Sequence, residues 1–377
     1  MMRLLTKKHL LGKAVSLCQR HFLLFSLFTL LPFYLASCSM IDEDQSDCGV
    51  QADVNYELRL VTNINTEIET KLTTKADLQI AELLRGYLMN VFTDFAHDVD
   101  LSFYDTIGDS VRLQHDKHIM DANQASYTLH LPKREYMHLA AANILDNELV
   151  SLTNDDHCHP SMLRQVARDT INSHDTGLFT ARLPMNVLEG SDQNFTVRLY
   201  MANCAACLVI DPRGFDTEDI KVFATGFATG FHICDSAFVF PEKSPIVTTT
   251  RLKPKDGSEE VGFCCVTFPS KEPSNKGNQK SPTRTVIETE EPFIAQPGDE
   301  TLWEFRVYVP QKDPNGTRSG SSITESLLQI KKPQRAGEVT IIKVYVGDKG
   351  NIVSESQEVA VSVTLDWKPG NTYEPVL

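Results

Sequence analysis

Along residues 54–60 apolar and polar positions alternate: Val54, Tyr56, Leu58 and Leu60 share one parity, and Asn55, Glu57 and Arg59 the other. A period of two puts each set on its own face of an extended chain, which predicts an antiparallel strand with one face buried and one wet. The alternation returns at Phe195, Val197, Leu199 and Met201, at Trp303, Phe305, Val307 and Val309, and at Val359, Val361, Val363, Leu365 and Trp367. Shorter β-rich runs occupy 99–104, 126–131, 137–144, 220–223, 237–240, 262–268 and 339–346. Many short strands between turn-rich breaks predict a mainly β fold, arranged as two antiparallel β-sandwiches in tandem.

Two segments follow the helical period instead. From Asp77 to Phe95, the residues Ile80, Leu84, Tyr87, Leu88, Val91 and Phe95 fall on one face, with Asp77 placed to cap the N-terminus. A second, shorter helix is expected after Pro160, capped by Ser161, with Met162, Leu163 and Val166 turned inward. Both sit in the first half as helical insertions. The polar break at Leu188-Glu189-Gly190-Ser191-Asp192-Gln193 suggests a boundary between a first module over 51–190 and a second over 191–377. Within the second, Pro269 to Glu300 is a long polar loop, and Asp313-Pro314-Asn315-Gly316 is a turn.

The first 37 residues have a different character. Arg3, Lys7, Lys8, Lys13 and Arg20 accompany an apolar run from Phe22 to Leu35, which leads into Leu35-Ala36-Ser37-Cys38. A charged segment, an apolar segment and a small-residue site make a secretory signal. Cysteine after the cut makes it the lipobox of a bacterial lipoprotein, with cleavage between Ser37 and Cys38 and acyl chains on Cys38. Each buried CH₂ adds about 0.8 kcal/mol, so several chains tether the protein to a membrane through Cys38. An uncleaved span is the alternative, but the run falls short of about 20 apolar residues and Pro32 interrupts it. Residues 38–50 then form an acidic linker. Asp42, Glu43 and Asp44 within it resemble the surface-export signal of Bacteroidota lipoproteins, which favours outward display over a periplasm-facing position.

Charge narrows the partners. The first 37 residues carry five basic side chains and no acidic one, so their removal takes the formal charge from −14 to −19. A body this acidic repels phosphate backbones, and nucleic acid is not expected as a partner. Seven cysteines remain after Cys18 leaves and Cys38 is acylated: Cys48, Cys158, Cys204, Cys207, Cys234, Cys264 and Cys265. An odd number leaves at least one thiol unpaired in a monomer.

Candidate chemistry is sparse. Cys204-Ala205-Ala206-Cys207 has redox spacing but lies in a strand run with no βαβ pattern around it. His157-Cys158-His159 and Cys264-Cys265 could offer zinc ligands, yet no second closely spaced pair completes a tetrahedral set, and no metal is expected. Asp175-Thr176-Gly177 matches the aspartic-protease triplet without the second loop that chemistry requires. No nucleophile elbow, zinc-protease helix or phosphate-cradling glycine loop occurs. No catalytic residue and no cofactor is therefore assigned, and an enzyme is not expected. Asp105-Thr106-Ile107, Asp109-Ser110-Val111, Asp169-Thr170-Ile171 and Asp235-Ser236-Ala237 resemble the O-glycosylation signal of Bacteroidota envelope proteins.

Several of these features together resemble one family. Cys38, the acidic run to Asp47, Cys48 and the strand Val54–Leu60 are similar to the lipidated opening of the fimbrillin-associated anchor proteins of Bacteroidales type V pili. The segment Phe223-Ala224-Thr225-Gly226-Phe227-Ala228-Thr229-Gly230-Phe231 resembles the family's strand-and-turn segment. The end, Val361-Ser362-Val363-Thr364-Leu365-Asp366-Trp367-Lys368-Pro369-Gly370, resembles its closing strand and turn. The resemblance implies two transthyretin-like sandwiches and a non-enzymatic role at the base of a fimbrium. There the protein would bind the basal shaft subunit by β-strand pairing, hold the fimbrium to the outer membrane and limit its length. Subunits of such pili assemble by donor-strand exchange. The segment Val359–Trp367 has a composition suited to such pairing, although a permanent place in its own sheet is the simpler expectation. The alternative function is a surface adhesin or glycan-binding lipoprotein, for which only Trp303 and Trp367 supply indoles.

Overall fold

In the computed structural model, which describes residues 51–61, 78–92, 96–119, 126–188, 193–255, 259–273, 300–310, 323–354 and 359–364, the alternation at 54–60 becomes β1 (Gln51–Val61). Val54, Tyr56 and Leu58 are buried, and Asp53, Asn55 and Arg59 are exposed. β1 lies between β10 (Gln193–Met201), parallel to it, and β4 (Ser126–Pro132), antiparallel. With β2 (Asp98–Asp105), β3 (Arg112–Ile119), β5 (Glu135–Ala142) and β9 (Phe179–Asn186) they form a seven-stranded sheet, β3-β2-β5-β9-β10-β1-β4. The sheet curls. Tyr56 of β1 reaches His138 of β5 across its inside, and the rings of His118 and Tyr127 on the two edge strands approach to 4.6 Å.

Inside the curl, Val54, Leu101, Phe179 and Leu199 meet the apolar stripe of helix α1 (Leu78–Val91), where Ile80, Leu84, Leu88 and Val91 are buried. The expected cap Asp77 and the last expected apolar position, Phe95, lie outside the described residues. The other wall of this core is one face of a second sheet, in the order β16-β17-β11-β20-β21. Its strands are β11 (Cys204–Asp211), β16 (Thr250–Leu252), β17 (Val261–Thr267), β20 (Val339–Val346) and β21 (Ile352–Ser354). Every residue from Cys204 to Ile210 is buried, because both faces of β11 are covered. Ala205, Cys207 and Val209 face the first core, and Ala206, Leu208 and Ile210 face a second one.

That second core is closed by a six-stranded sheet, β22-β19-β18-β12-β15-β8. It comprises β8 (Thr170–Ile171), β12 (Lys221–Thr225), β15 (Ile246–Thr248), β18 (Trp303–Pro310), β19 (Ile323–Ile330) and β22 (Val359–Thr364). In β18 every second residue from Trp303 to Val309 is buried, as the alternation requires. A fourth sheet covers the outside of the first. It consists of β6 (Val150–Thr153), β7 (Met162–Gln165), β13 (Gly230–His232) and β14 (Ala237–Val239), with Leu163 and Phe231 packed on Tyr104, Leu139 and Ala141. The fold is thus mostly β, with sheets facing each other across apolar cores as in β-sandwiches.

The strands cross the polar break near 188–193. β10, which follows it, returns to the first sheet; β7 pairs with β13 in the fourth, and β8 pairs with β15 in the third. Gly226 lies where the chain passes from the third sheet to the fourth. At a φ of 103° it carries the chain from β12 toward β13, and a Cβ there would stand 2.6 Å from Trp303 Cα. Only glycine combines that dihedral with that approach.

The second expected helix does not form; α1 is the one helix among the described residues. Met162–Gln165 is instead β7, paired on one side with β13 and on the other with β6. A helix of one or two turns has little intrinsic stability, whereas an inner strand satisfies its main chain on both edges. Ser161 does not cap: its Oγ donates to His157 O at 2.6 Å and lies 2.8 Å from Tyr104 Oη.

Candidate functional site

The expected cleavage and lipid site, Ser37 and Cys38, the export residues Asp42, Glu43 and Asp44, and Cys48 lie outside the described residues. So do Leu365, Trp367 and the Lys368-Pro369-Gly370 turn. What is described of the last alternating run is β22, a strand of the third sheet. It pairs antiparallel with β19 over six residues, from Val359 opposite Ile330 to Thr364 opposite Glu325. It is also an edge: among the described residues no strand pairs with its other side. An edge strand offers a row of main-chain donors and acceptors, which a strand from another chain can take up. Trp303 belongs to the second core, with its indole N–H donating to Lys332 O at 3.0 Å, and is not available to stack on a sugar.

Cys204 and Cys207 stand three residues apart on β11, so they point to opposite faces and cannot bond to each other. Cys207 faces the first core, where Cys264 is its direct partner across β17 and the two Sγ atoms are 2.6 Å apart. Cys204 donates to Thr267 O, and Cys265 turns into the second core. Burial pushes the thiols of Cys204, Cys264 and Cys265 up, the reverse of what a reactive thiolate needs.

Near the surface, two dipeptides face one another. Cys158-His159 follows β6, and Cys234-Asp235 follows β13. The Cys158 and Cys234 sulfurs are 2.6 Å apart, His159 Nδ1 lies 2.9 Å from Asp235 Oδ1 and 3.8 Å from Cys234 Sγ. The hydrogen bond from Cys158 lowers the Cys234 thiol to about 7 and holds Cys158 itself well up. Asp235, as hydrogen-bond acceptor, raises the His159 imidazole. His159, Cys234 and Asp235 have ligand atoms within 4.8 Å of one another, a set able to approach a cation. Of the residues 157–159 that the sequence offers as zinc ligands, Cys158 and His159 enter this cluster, and their partners Cys234 and Asp235, 76 positions away, carry no local signal.

No family model matches the sequence, and no curated protein does. Solved structures give the comparison. The chain's structural neighbours include a fimbrial anchor. This is Mfa2 of Porphyromonas gingivalis, with 10% identity, a TM-score of 0.42, and 82% of this chain and 97% of that one covered. A Bacteroides thetaiotaomicron protein described as a candidate polysaccharide-binding protein has 12% identity and a TM-score of 0.47 over 82% and 97%. A candidate cell adhesion protein of Bacteroides eggerthii has 12% identity and a TM-score of 0.44 over 84% and 95%.

Two histidines, His138 and His174, are fully buried. His138 Nδ1–H donates to Ser102 O at 3.0 Å while Nε2 accepts from Tyr56 Oη at 2.5 Å, so the neutral imidazole satisfies both neighbours. Burial lowers it to about 4, and does the same to His174, whose Nε2 lies 2.9 Å from Gln165 Oε1. In the triplet 175–177, Asp175 is exposed, and Asn203 ties the loop by donating to Thr176 O. Between the first and fourth sheets is a cavity of ≈ 10 Å³, lined by Asp100, Ser102, Tyr104 and Ser161 among others, with space for about one water and no organic ligand. Among the described residues no helix is long and apolar enough to cross a membrane.

Proposed function

We propose that this chain is an outer-membrane lipoprotein, displayed outward, that anchors a fimbrium. Cys38 carries the acyl chains, residues 38–50 space the body from the lipid, and the β body holds the basal shaft subunit by strand pairing, which limits fimbrial length. No catalytic step and no cofactor belongs to this reading. The observation that carries it is the edge position of β22, whose other side no strand takes among the described residues. Main-chain hydrogen bonds along such an edge supply affinity, and alternate side chains of the incoming strand supply selectivity. The adhesin or glycan-binding alternative would draw on exposed aromatic rings, and burial of Trp303 favours the anchor.

Deletion of the gene tests this reading. Fimbriae released into the medium, or longer than in the parent strain by electron microscopy, are the expected result. Unchanged fimbriae accompanied by lost growth on one polysaccharide would replace the anchor with the glycan alternative. Cys38→Ala should move the protein from the membrane to the soluble fraction; retention in the membrane would overturn the lipid attachment.

A further inference from the structure

We propose that Cys158 and Cys234 form a disulfide bond that staples the fourth sheet, joining the turn after β6 to the turn after β13. Their sulfurs are 2.6 Å apart. Two thiolates on a tetrahedral zinc, each about 2.3 Å from the metal, would stand about 3.8 Å apart, so the spacing points to a covalent pair and not to a metal site. Nothing in the ladder imposes this approach, since both residues lie beyond the ends of their strands. Cys207 and Cys264 differ in this respect. They are direct partners across adjacent antiparallel strands, where register alone brings Cβ atoms to about 5 Å, and they are sealed in the first core.

The surroundings equip the outer pair for exchange. The Cys234 sulfur, poised for ionisation by its hydrogen bond from Cys158, lies just beneath the exposed His159–Asp235 pair. The oxidant is a disulfide of an envelope thiol oxidoreductase. The Cys234 thiolate attacks one carrier sulfur, forms a mixed disulfide and expels the other carrier sulfur as a thiolate. Cys158 loses its proton to that thiolate and attacks Cys234 Sγ, expelling the second carrier sulfur, which takes up the proton first lost by Cys234. Two protein thiols lose two electrons and two protons, and the carrier disulfide becomes a dithiol. The bond closes a loop between residues 76 positions apart, on a sheet built from both halves of the chain.

The inference relies on the export part of the proposed function only for access to an oxidant. The test takes the full chain from native cell envelopes, alkylates it under denaturing, non-reducing conditions and digests it with trypsin. Glu135–Arg164 and Val222–Lys243 each contain a single cysteine, so a linked peptide of these two assigns the pair without ambiguity. The expected product weighs two hydrogens less than the two peptides together, disappears on reduction, and is absent in Cys158→Ser, where Cys234 becomes alkylated. Quantitative alkylation of both cysteines in the unmodified chain overturns the proposal, as does stoichiometric zinc in protein whose thiols are free. Acyl chains on Cys38 are read in the same digest. Acylation with both thiols free defeats the disulfide and spares the anchor; a linked peptide without acylation does the reverse.

Discussion

β1 and β11 occupy matching positions: each has one parallel neighbour, β10 or β20, and one antiparallel neighbour, β4 or β17. Their sequences nonetheless look unrelated. Asp53 to Arg59 alternates strictly, whereas Cys204 to Ile210 contains no charged residue. The difference lies above and below the strands. β1 has a core on one face and solvent on the other, while β11 has a core on each. Alternation therefore reports how many faces of a strand are covered, and says nothing about which strands flank it or in which direction they run.

Placing a carboxylate in each strand is the strongest way to break this comparison. Leu208→Asp and Val209→Asp, on opposite faces of β11, should each bury an unpaired charge and cost more than about 4 kcal/mol, or abolish cooperative folding in urea. In β1 only one parity should behave so: Val54→Asp fails similarly, and Asn55→Asp stays within about 0.5 kcal/mol. Tolerance of Val209→Asp equal to that of Asn55→Asp would end the argument.

Protonation probes the two regions next. His138 touches β1 through Tyr56, and the main-chain N–H of His174 donates to Val266 O on β17, the neighbour of β11. Both imidazoles titrate at about 4 when folded, against about 6.5 in the unfolded chain. Between those values the unfolded chain binds more protons, so stability rises with pH there. It is fully present above about pH 6.5 and falls as pH drops toward 4, by up to about 3 kcal/mol for each histidine. The slope of the urea midpoint against pH should flatten in His138→Gln and again in His174→Gln. An unchanged slope in both variants would contradict the buried, neutral state.

Smaller effects sharpen the picture on β1. Tyr56→Phe removes the donor to His138 Nε2 and should cost about 1–2 kcal/mol by chemical denaturation, because the ring nitrogen stays buried without its partner. On the wet face, Glu57 and Arg59 pair at 3.0 Å with side chains 42% and 61% exposed. Glu57→Ala should shift stability by less than about 0.5 kcal/mol, a loss that added salt erases. A larger change would mean that this face is covered in the protein.

The same contrast explains what was legible in the sequence. β1, β10 and β18 each have one covered face, and their parity predicts which residues turn inward, with Leu60 and Phe195 half-buried at the margin; α1 is readable for the same reason at a period of 3.6. β7 was not, because Met162 and Leu163 are adjacent and both buried, a pattern that suits a short helix as well as a strand inside a sheet. The parallel pairings of β1 with β10 and β11 with β20 leave no local trace, since parity is blind to strand direction. The approach of Cys158 to Cys234, 76 positions apart, leaves no trace in the sequence either. The lipobox expected at Leu35–Cys38 rests on contiguous residues alone, and these lie outside the described ones.

The fourth sheet sets a timetable for folding. A chain delivered N-terminus first presents β6 and β7 long before β13 and β14 exist to complete their sheet, and β8 likewise waits for β15. During that interval the β13-facing edge of β7 is unpaired, and the cluster around Leu139, Ala141 and Leu163 lacks Phe231, Ile233 and Phe268. Contacts this far apart in sequence are slow to form and leave intermediates prone to association. A protein so interlaced gains its final shape late, which makes the period between emergence and closure the one in which a chaperone would have most to protect.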